Sequence, residues 1–235
     1  MNNIIFIYKK FDDYTILELN TINNPYHKNI CADGIFKYGC IVYFLKNIKN
    51  IDTLLEPGCQ ISSLSAYICK KYNVQNVYLF DFDIVSGLNI NLIQNTLFKL
   101  NDITTKINFK GGDFFSNVVN VHDNSIDLVF DGCSITHFCG NDSIKYSGLK
   151  SWKMSVNILE KKIKKGGHFI VTSDVIYDED LNKTGSDKEF LYPNDIIQLF
   201  SEKFIIVDNP ILSIDTIDNV LPYKLRVMCI CFKKI

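Results

Sequence analysis

The sequence predicts a three-layer α/β/α sandwich, with a seven-stranded, mostly parallel sheet, an antiparallel terminal strand pair and helices on both faces. Three observations predict it. Strand-like and helix-like runs alternate from Asp52 to Phe204, the order produced by parallel strands joined by crossing helices. Most of the strand-like runs close on an acid or a glycine turn. The last two runs are instead joined by a non-helical stretch, Asn209 to Lys224, which favours antiparallel pairing at a sheet edge.

The elements follow in chain order. "DGIFKYGCIVYFLKN" (Asp33 to Asn47) reads as a leading helix. "DTLLE" (Asp52 to Glu56) is an apolar run into a Pro-Gly turn, so a strand. From Ile61 the apolar residues Leu64, Ile68 and Tyr72 recur at helical spacing. "NVYLFDF" (Asn76 to Phe82) is rich in β-formers, and Ile90, Ile93, Leu97 and Leu100 give a second helical stripe. "TKINFKGG" (Thr105 to Gly112) alternates and stops at glycines, and "SIDLVFDG" (Ser125 to Gly132) is a strand with an apolar centre. Leu149, Trp152, Val156, Leu159 and Ile163 mark an amphipathic helix. "GGHFIVTSD" (Gly166 to Asp174) is a strand entered through a Gly-Gly stop. "PNDIIQLFSEKF" begins with a proline suited to the first helical turn. "FIIVD" (Phe204 to Asp208) and "LRVMCICF" (Leu225 to Phe232) are the closing strands.

Composition narrows the function classes. With 235 residues and 47% apolar side chains, the chain suits one folded domain with a small appendage. A net charge of −1 argues against broad nucleic-acid binding, which needs a field of Lys and Arg. Lys161, Lys162, Lys164 and Lys165 form the densest cationic run and read as a solvated helix end favoured by the macrodipole. The cysteines Cys31, Cys40, Cys59, Cys69, Cys133, Cys139, Cys229 and Cys231 show no metal spacing, and most read as small buried hydrophobes of a reducing compartment. The polar N-terminus is unlike a signal peptide and no apolar run approaches bilayer length, so a cytoplasmic location without membrane contact is expected.

In open α/β sheets, ligands bind outside the carboxyl ends of the strands. Five consecutive strands here deliver an acid to that rim: Glu56 in "LLEPGC", Asp81 and Asp83, Asp113 in "GGDFF", Asp131 with His137 six residues on, and Asp174. The series resembles the class I S-adenosylmethionine-dependent methyltransferases from Asp52 to Asp174 and in the terminal strand pair. "LLEPGC" is similar to their first motif, "VYLFDFD" to the second, "GGDFF" to the adenine-contacting segment, "DLVFDGCSITHF" to the fourth, and "IKKGGHFIV" to the turn before strand five. The resemblance implies a Rossmann-like domain over 51–235 behind an N-terminal helical lid or extension over 1–50. It implies a cofactor site of Glu56, Gly58, Cys59, Gln60, Asp81, Asp83, Asp113, Phe114 and Asp131 for S-adenosyl-L-methionine. Asp81 is the better match for the ribose hydroxyls, and the Phe114 amide lies beside the adenine.

One departure stands in the first motif. Gln60 and Ser62 occupy the places of the family's second and third glycines. Those glycines matter most where backbone must approach a pyrophosphate, and this cofactor has none. NAD is the rival cofactor. Crowding Glu56, Asp81, Asp113 and Asp131 around two phosphates would be repulsive, whereas the same acids suit a sulfonium cation and its amino group.

For the reaction, methyl transfer to a hydroxyl requires alignment and removal of a proton. His137 is the candidate base, with Asp131 in the catalytic set. Asp131 and Asp174 on adjacent strand ends could hold a hard cation such as Mg²⁺ with Asp178 or Glu179 in reach as a third ligand, but the expectation is no metal. "NNPYH" (Asn23 to His27) resembles the Asn-Pro-Pro-Tyr element of DNA amino-methyltransferases, but it lies far ahead of the first motif, and "DGCS" stands where that element belongs. Tyr26 to Tyr38 reads instead as part of the lid. The expected function is therefore S-adenosylmethionine-dependent methylation of a small-molecule acceptor, at oxygen, with sugars or surface-polysaccharide precursors as the acceptor class by analogy. The alternative is a catalytically inactive methyltransferase fold serving as a binding or scaffold subunit.

Overall fold

The computed structural model describes residues 6–9, 22–25, 32–85, 87–138, 148–186, 190–200, 202–214, 216 and 224–235. Tyr26, His27, Cys31 and Cys139 lie outside these residues.

The strands are β1 (Ile7–Lys9), β2 (Thr53–Pro57), β3 (Asn76–Asp81), the short hairpin β4 (Ile84–Val85) and β5 (Leu88–Asn89), β6 (Lys106–Gly111), β7 (Ile126–Gly132), β8 (Ile163–Ile176), β9 (Phe204–Ile206), β10 (Ile211–Ser213) and β11 (Leu225–Lys234). The helices are α1 (Ala32–Leu45), α2 (Leu64–Tyr72), α3 (Ile90–Leu100), α4 (Phe114–Val118), α5 (Gly148–Lys162) and α6 (Pro193–Phe200). The main sheet runs β6-β3-β2-β7-β8-β11-β10-β1, and β9 also pairs with β11. From β6 to β8 all neighbours are parallel. β11 lies antiparallel to β8 on one side and to β9 and β10 on the other. The seventh place of the expected sheet is thus shared by two short strands, β9 within the expected run Phe204 to Asp208 and β10 within the stretch Asn209 to Lys224, where only a non-helical connection was expected. β1 adds an eighth place, parallel to β10, where only helix was expected ahead of β2.

Side chains alternate between two cores, as a sheet covered on both faces requires. Leu54, Val77, Leu79, Phe130, Ile170 and Cys229 face α1, α2 and α3. Leu55, Phe80, Val129, Phe169, Val171 and Met228 face α4, α5 and α6. The alternation fails once. Ile126 and Leu128 point to opposite cores because the β7–β8 register shifts between them. The extra length falls in "KKGG" on β8, so β8 starts at Ile163 rather than at the expected Gly166.

Helix α1 contributes Cys40, Ile41, Phe44 and Leu45 to the same core as β2 and β7. Its thiol neighbour is Cys229, and all the described cysteines are free and buried. No helix among the described residues is long and apolar enough to cross a membrane.

The lysine run departs from its solvated reading. Lys162 is buried, and its ammonium donates to Val119 O at 3.1 Å, Val121 O at 2.7 Å and Asp123 at 2.7 Å. It closes the end of α5 onto the turn before β7. Removing it leaves two carbonyls without a donor, so Lys162→Met should lower unfolding free energy by about 1–3 kcal/mol in urea titration; an unchanged midpoint would show those carbonyls are served by water.

Candidate functional site

The chain leaves β2 toward β3 and β6, then returns on the other side of β2 as β7. This reversal opens a crevice outside the carboxyl ends of β2 and β7, where α/β sheets hold ligands. A cavity of about 310 Å³ lies there. It brings together Glu56, Gly58, Cys59, Gln60, Asp81, Asp113, Phe114 and His137 from the predicted set. Tyr38, Phe82, Cys133, Ser134 and Phe138 also line it.

Gly58 closes the β2 end. Its φ is +62°, and a Cβ there would lie 2.3 Å from Ser134 Cβ. Only glycine lets this turn rest against the loop after β7. Ser134 Oγ sits 2.8 Å from Pro57 O, linking the two strand ends. Gln60 has φ +41°, a left-handed conformation of the kind glycine favours. Its amide donates to Asp81 Oδ2 at 2.6 Å, and the Phe82 amide donates to Asp81 Oδ1 at 2.8 Å. Asp81 is thereby fixed at the cavity wall. Ser62 Oγ accepts from Leu64 N at 3.1 Å, so this serine serves the start of α2.

Two predicted residues do not line the cavity. Asp83 is turned against β6: a Cβ on Gly111 would lie 1.9 Å from Asp83 Oδ1. The first glycine of "GGDFF" therefore makes room for Asp83, which stands outside the pocket wall. Asp131 is fully buried beneath the loop that follows β7. Its Oδ1 accepts from Ser134 N at 2.9 Å and from the Ser134 hydroxyl, and its Oδ2 accepts from Ile135 N at 3.3 Å. Direct contact between Asp131 and a cavity ligand is not what this geometry provides; the carboxylate holds the loop instead.

Asp113 caps α4, with Oδ2 accepting from Ser116 N at 2.7 Å and Ser116 Oγ at 2.6 Å. Phe114 is buried and stacks on Phe138, ring centroids 4.7 Å apart, with Phe80 edge-on at 5.3 Å. These rings form an apolar inner wall. His137 ends a single 3₁₀ turn, Ile135–His137, and its amide donates to Ser134 O at 2.9 Å. The turn that carries His137 is thus built on Asp131.

The carboxylates considered for a cation are engaged elsewhere. Asp174 pairs with Lys37 at 3.0 Å and Asp178 with Lys183 at 2.7 Å. Among the described residues no group of three potential ligands converges.

Sequence reasoning overlooked Ser134, whose signal was its place three residues beyond Asp131. It also overlooked Gln94, a polar residue set on the apolar stripe of α3 between Ile93 and Leu97. That interruption was legible. Tyr38 falls at the end of the segment read as the lid, and Phe138 carried no comparable signal.

Burial dominates the electrostatics. It pushes the Glu56 carboxyl well above its ordinary range against the pull of the Ser65 and Ser62 hydroxyls, and the Asp81 and Asp131 charges add to the rise. It raises Asp81 against its two amide donors. It raises Asp131 from 3.8 to about 6 despite the hydrogen bonds from Ser134 and Ile135. Burial also pushes the Cys133 thiol to about 12, so it is protonated at neutral pH.

Two predictions follow from this geometry. Gly58→Ala should cost at least about 2 kcal/mol, from left-handed strain and the Ser134 contact; a thermal midpoint equal to that of the parent would refute the close approach. The second concerns pH. The folded chain keeps the Asp131 proton up to about pH 6, whereas the ordinary value is 3.8. The unfolded state then binds fewer protons between those values, so stability falls as pH rises through this window, and Glu56 extends the fall upward. Glu56→Gln should flatten the slope of midpoint against pH and raise the midpoint above neutrality.

No protein-family model matches the chain, and no curated protein matches it in sequence. Solved structures do. A methyltransferase from Methanosarcina mazei, described as S-adenosylmethionine-dependent, aligns at 16% identity over 82% of this chain and 97% of its own, with a TM-score of 0.52. The 1,6-didemethyltoxoflavin-N1-methyltransferase of Burkholderia thailandensis, solved with S-adenosylhomocysteine, aligns at 11% identity over 84% and 77%, with a TM-score of 0.55. The cyclase SpnF aligns at 11% over 88% and 84%, with a TM-score of 0.60. Such low identities speak to architecture, and the cyclase shows that this architecture hosts more than one chemistry. The chain has the Rossmann-like fold of the class I S-adenosylmethionine-dependent methyltransferases.

Proposed function

We propose that the protein is an S-adenosylmethionine-dependent methyltransferase acting on a small-molecule acceptor, at oxygen. The observation that carries this reading is the pair of carboxyls Glu56 and Asp81 lining one cavity at the sheet's reversal point, with the Asp131 carboxyl buried beneath it. Such a site favours a bound cation and opposes a pyrophosphate. Its volume of about 310 Å³ is at the small end of ligand sites and suits one compact cofactor.

Asp81 would hold the ribose hydroxyls, Asp113 and the Phe114 amide the adenine, and Glu56 with the Gly58, Cys59 and Gln60 turn the amino-acid end. Bound there, the cofactor supplies a methyl group activated by a sulfonium. His137 accepts the proton of the acceptor hydroxyl. Asp131 acts through Ser134 and Ile135 by fixing the turn on which His137 sits. Phe114 and Phe138 exclude water from the inner wall. Of the N-terminal extension 1–50, Tyr38 would contribute to the mouth of the site, while β1 and α1 join the sheet and core of the catalytic domain 51–235.

Titration calorimetry with S-adenosylmethionine and S-adenosylhomocysteine tests the reading. Binding to both is expected, and Asp81→Ala should weaken it at least about tenfold. Absence of binding at millimolar ligand would leave the inactive binding or scaffold subunit as the reading. Between about pH 5.5 and 7.5 the sulfonium form should gain affinity relative to the neutral thioether, because Asp131, near 6, ionises in that interval and adds negative charge. A ratio independent of pH would remove the acids as the cation's partners. Sugars and surface-polysaccharide precursors form the first acceptor screen, with nitrogen heterocycles as the contrasting set. Once an acceptor is found, His137→Asn should spare cofactor binding and slow turnover about 10²–10⁴-fold.

A further inference from the structure

We infer that Gln94 is a positioning residue for the cofactor loop, its buried side-chain amide holding Gln60 in a backbone conformation that a glycine would otherwise supply. The inference rests on the cofactor reading above. Three successive loop carbonyls each accept from a side-chain amide. Gln94 Nε2 donates to Gln60 O at 2.8 Å and to Ser62 O at 3.1 Å, and Asn24 Nδ2 donates to Ile61 O at 3.0 Å. Turning the Gln94 amide over would aim its oxygen at two carbonyls, so the donor direction is set by the contacts themselves.

Gln94 is fully buried, and its Oε1 is buried with no hydrogen-bond partner among the described residues. As a packing element this is a poor choice, because methionine would fill the same place on the α3 stripe without an orphaned acceptor. What the amide adds is its donors, and both end on the loop. Gln60 is the residue that needs holding, since φ +41° is uncommon for a residue bearing a Cβ. In that conformation its own amide reaches Asp81 Oδ2 at 2.6 Å. The path Gln94, Gln60, Asp81 therefore couples α3 to the carboxylate assigned to the ribose. The glycines missing at Gln60 and Ser62 coincide with the two carbonyls that Gln94 binds.

The test is Gln94→Met, measured by urea unfolding, by amide hydrogen exchange over residues 58–63 and by calorimetry with S-adenosylhomocysteine. The expected result is a folded protein whose loop amides exchange at least about tenfold faster and whose affinity falls at least about tenfold. Adding Gln60→Gly to Gln94→Met should restore most of that affinity, because glycine adopts the turn unaided; the Gln60→Gly single variant completes the cycle. If Gln94→Met binds like the parent protein, or if Gln60→Gly restores nothing, the inference is overturned while the cofactor reading stands. If the parent protein does not bind, the cofactor reading fails and the inference with it. Loss of the fold in both Gln94→Met and Gln94→Glu would make Gln94 structural and overturn the positioning role.

Discussion

The close approach of Gly58 to Ser134 is the constraint on which the site depends. It brings the carboxyl end of β2 against the loop after β7, where the order of the parallel strands reverses. Ser134 answers from the other side, with its hydroxyl near Pro57 O and its amide on Asp131. Any side chain at 58 would push these ends apart and separate the acids from the His137 turn. The remaining glycine substitutions in the loop are secondary to this contact. A left-handed conformation at Gln60 can be enforced by hydrogen bonds from outside, whereas the space occupied by a Cβ at Gly58 cannot be supplied by any neighbour.

Carboxyls placed where burial raises their pKa are costly to the fold. Glu56 and Asp131 lie at the base of the crevice rather than on the surface, and their like charges aggravate each other. Hydrogen bonds offset part of this: Ser65 and Ser62 serve Glu56, and Ser134 and Ile135 serve Asp131. Apolar residues of similar size would give a more stable core. Retained acids in such a place are intelligible if a bound cation completes them, and the same logic makes a phosphate-bearing ligand a poor fit.

Much of the fold was legible because strand ends and helix stripes are set by local composition. The strands β2, β3, β6 and β7 start or stop within a residue or so of their expected bounds. What escaped detection was short or depended on distant partners. β1 is three residues in a polar N-terminus, and its pairing with β10 comes from chain more than two hundred residues away. β10 is likewise three residues, inside the stretch Asn209 to Lys224 that reads only as a connection. In the site, Asp81 and Asp83 differ by two positions, so strand periodicity puts them on one face and cannot choose between them. The structure ends β3 at Asp81, which lines the cavity, and turns Asp83 against Gly111. Asp131 stood at the right strand end, but its depth depends on Ser134 closing over it, which only the folded loop reveals.

The lapse at Gln60 and Ser62 is best understood as a redistribution of one structural requirement. A glycine-rich loop needs no external support to hold left-handed turns, because glycine meets no Cβ penalty there. A loop with side chains must be held from elsewhere. Here the holding groups come from α3 through Gln94 and from the N-terminal segment through Asn24, elements far apart in sequence. The loop's conformation therefore depends on how α3 and residues 22–25 pack, and Asn101 at the end of α3 ties the two together through Asn23. Motif matching compares residues at fixed spacing and sees only the missing glycines. The physical requirement, a backbone turned so that the Gln60 amide meets Asp81, is met by residues that no local pattern contains.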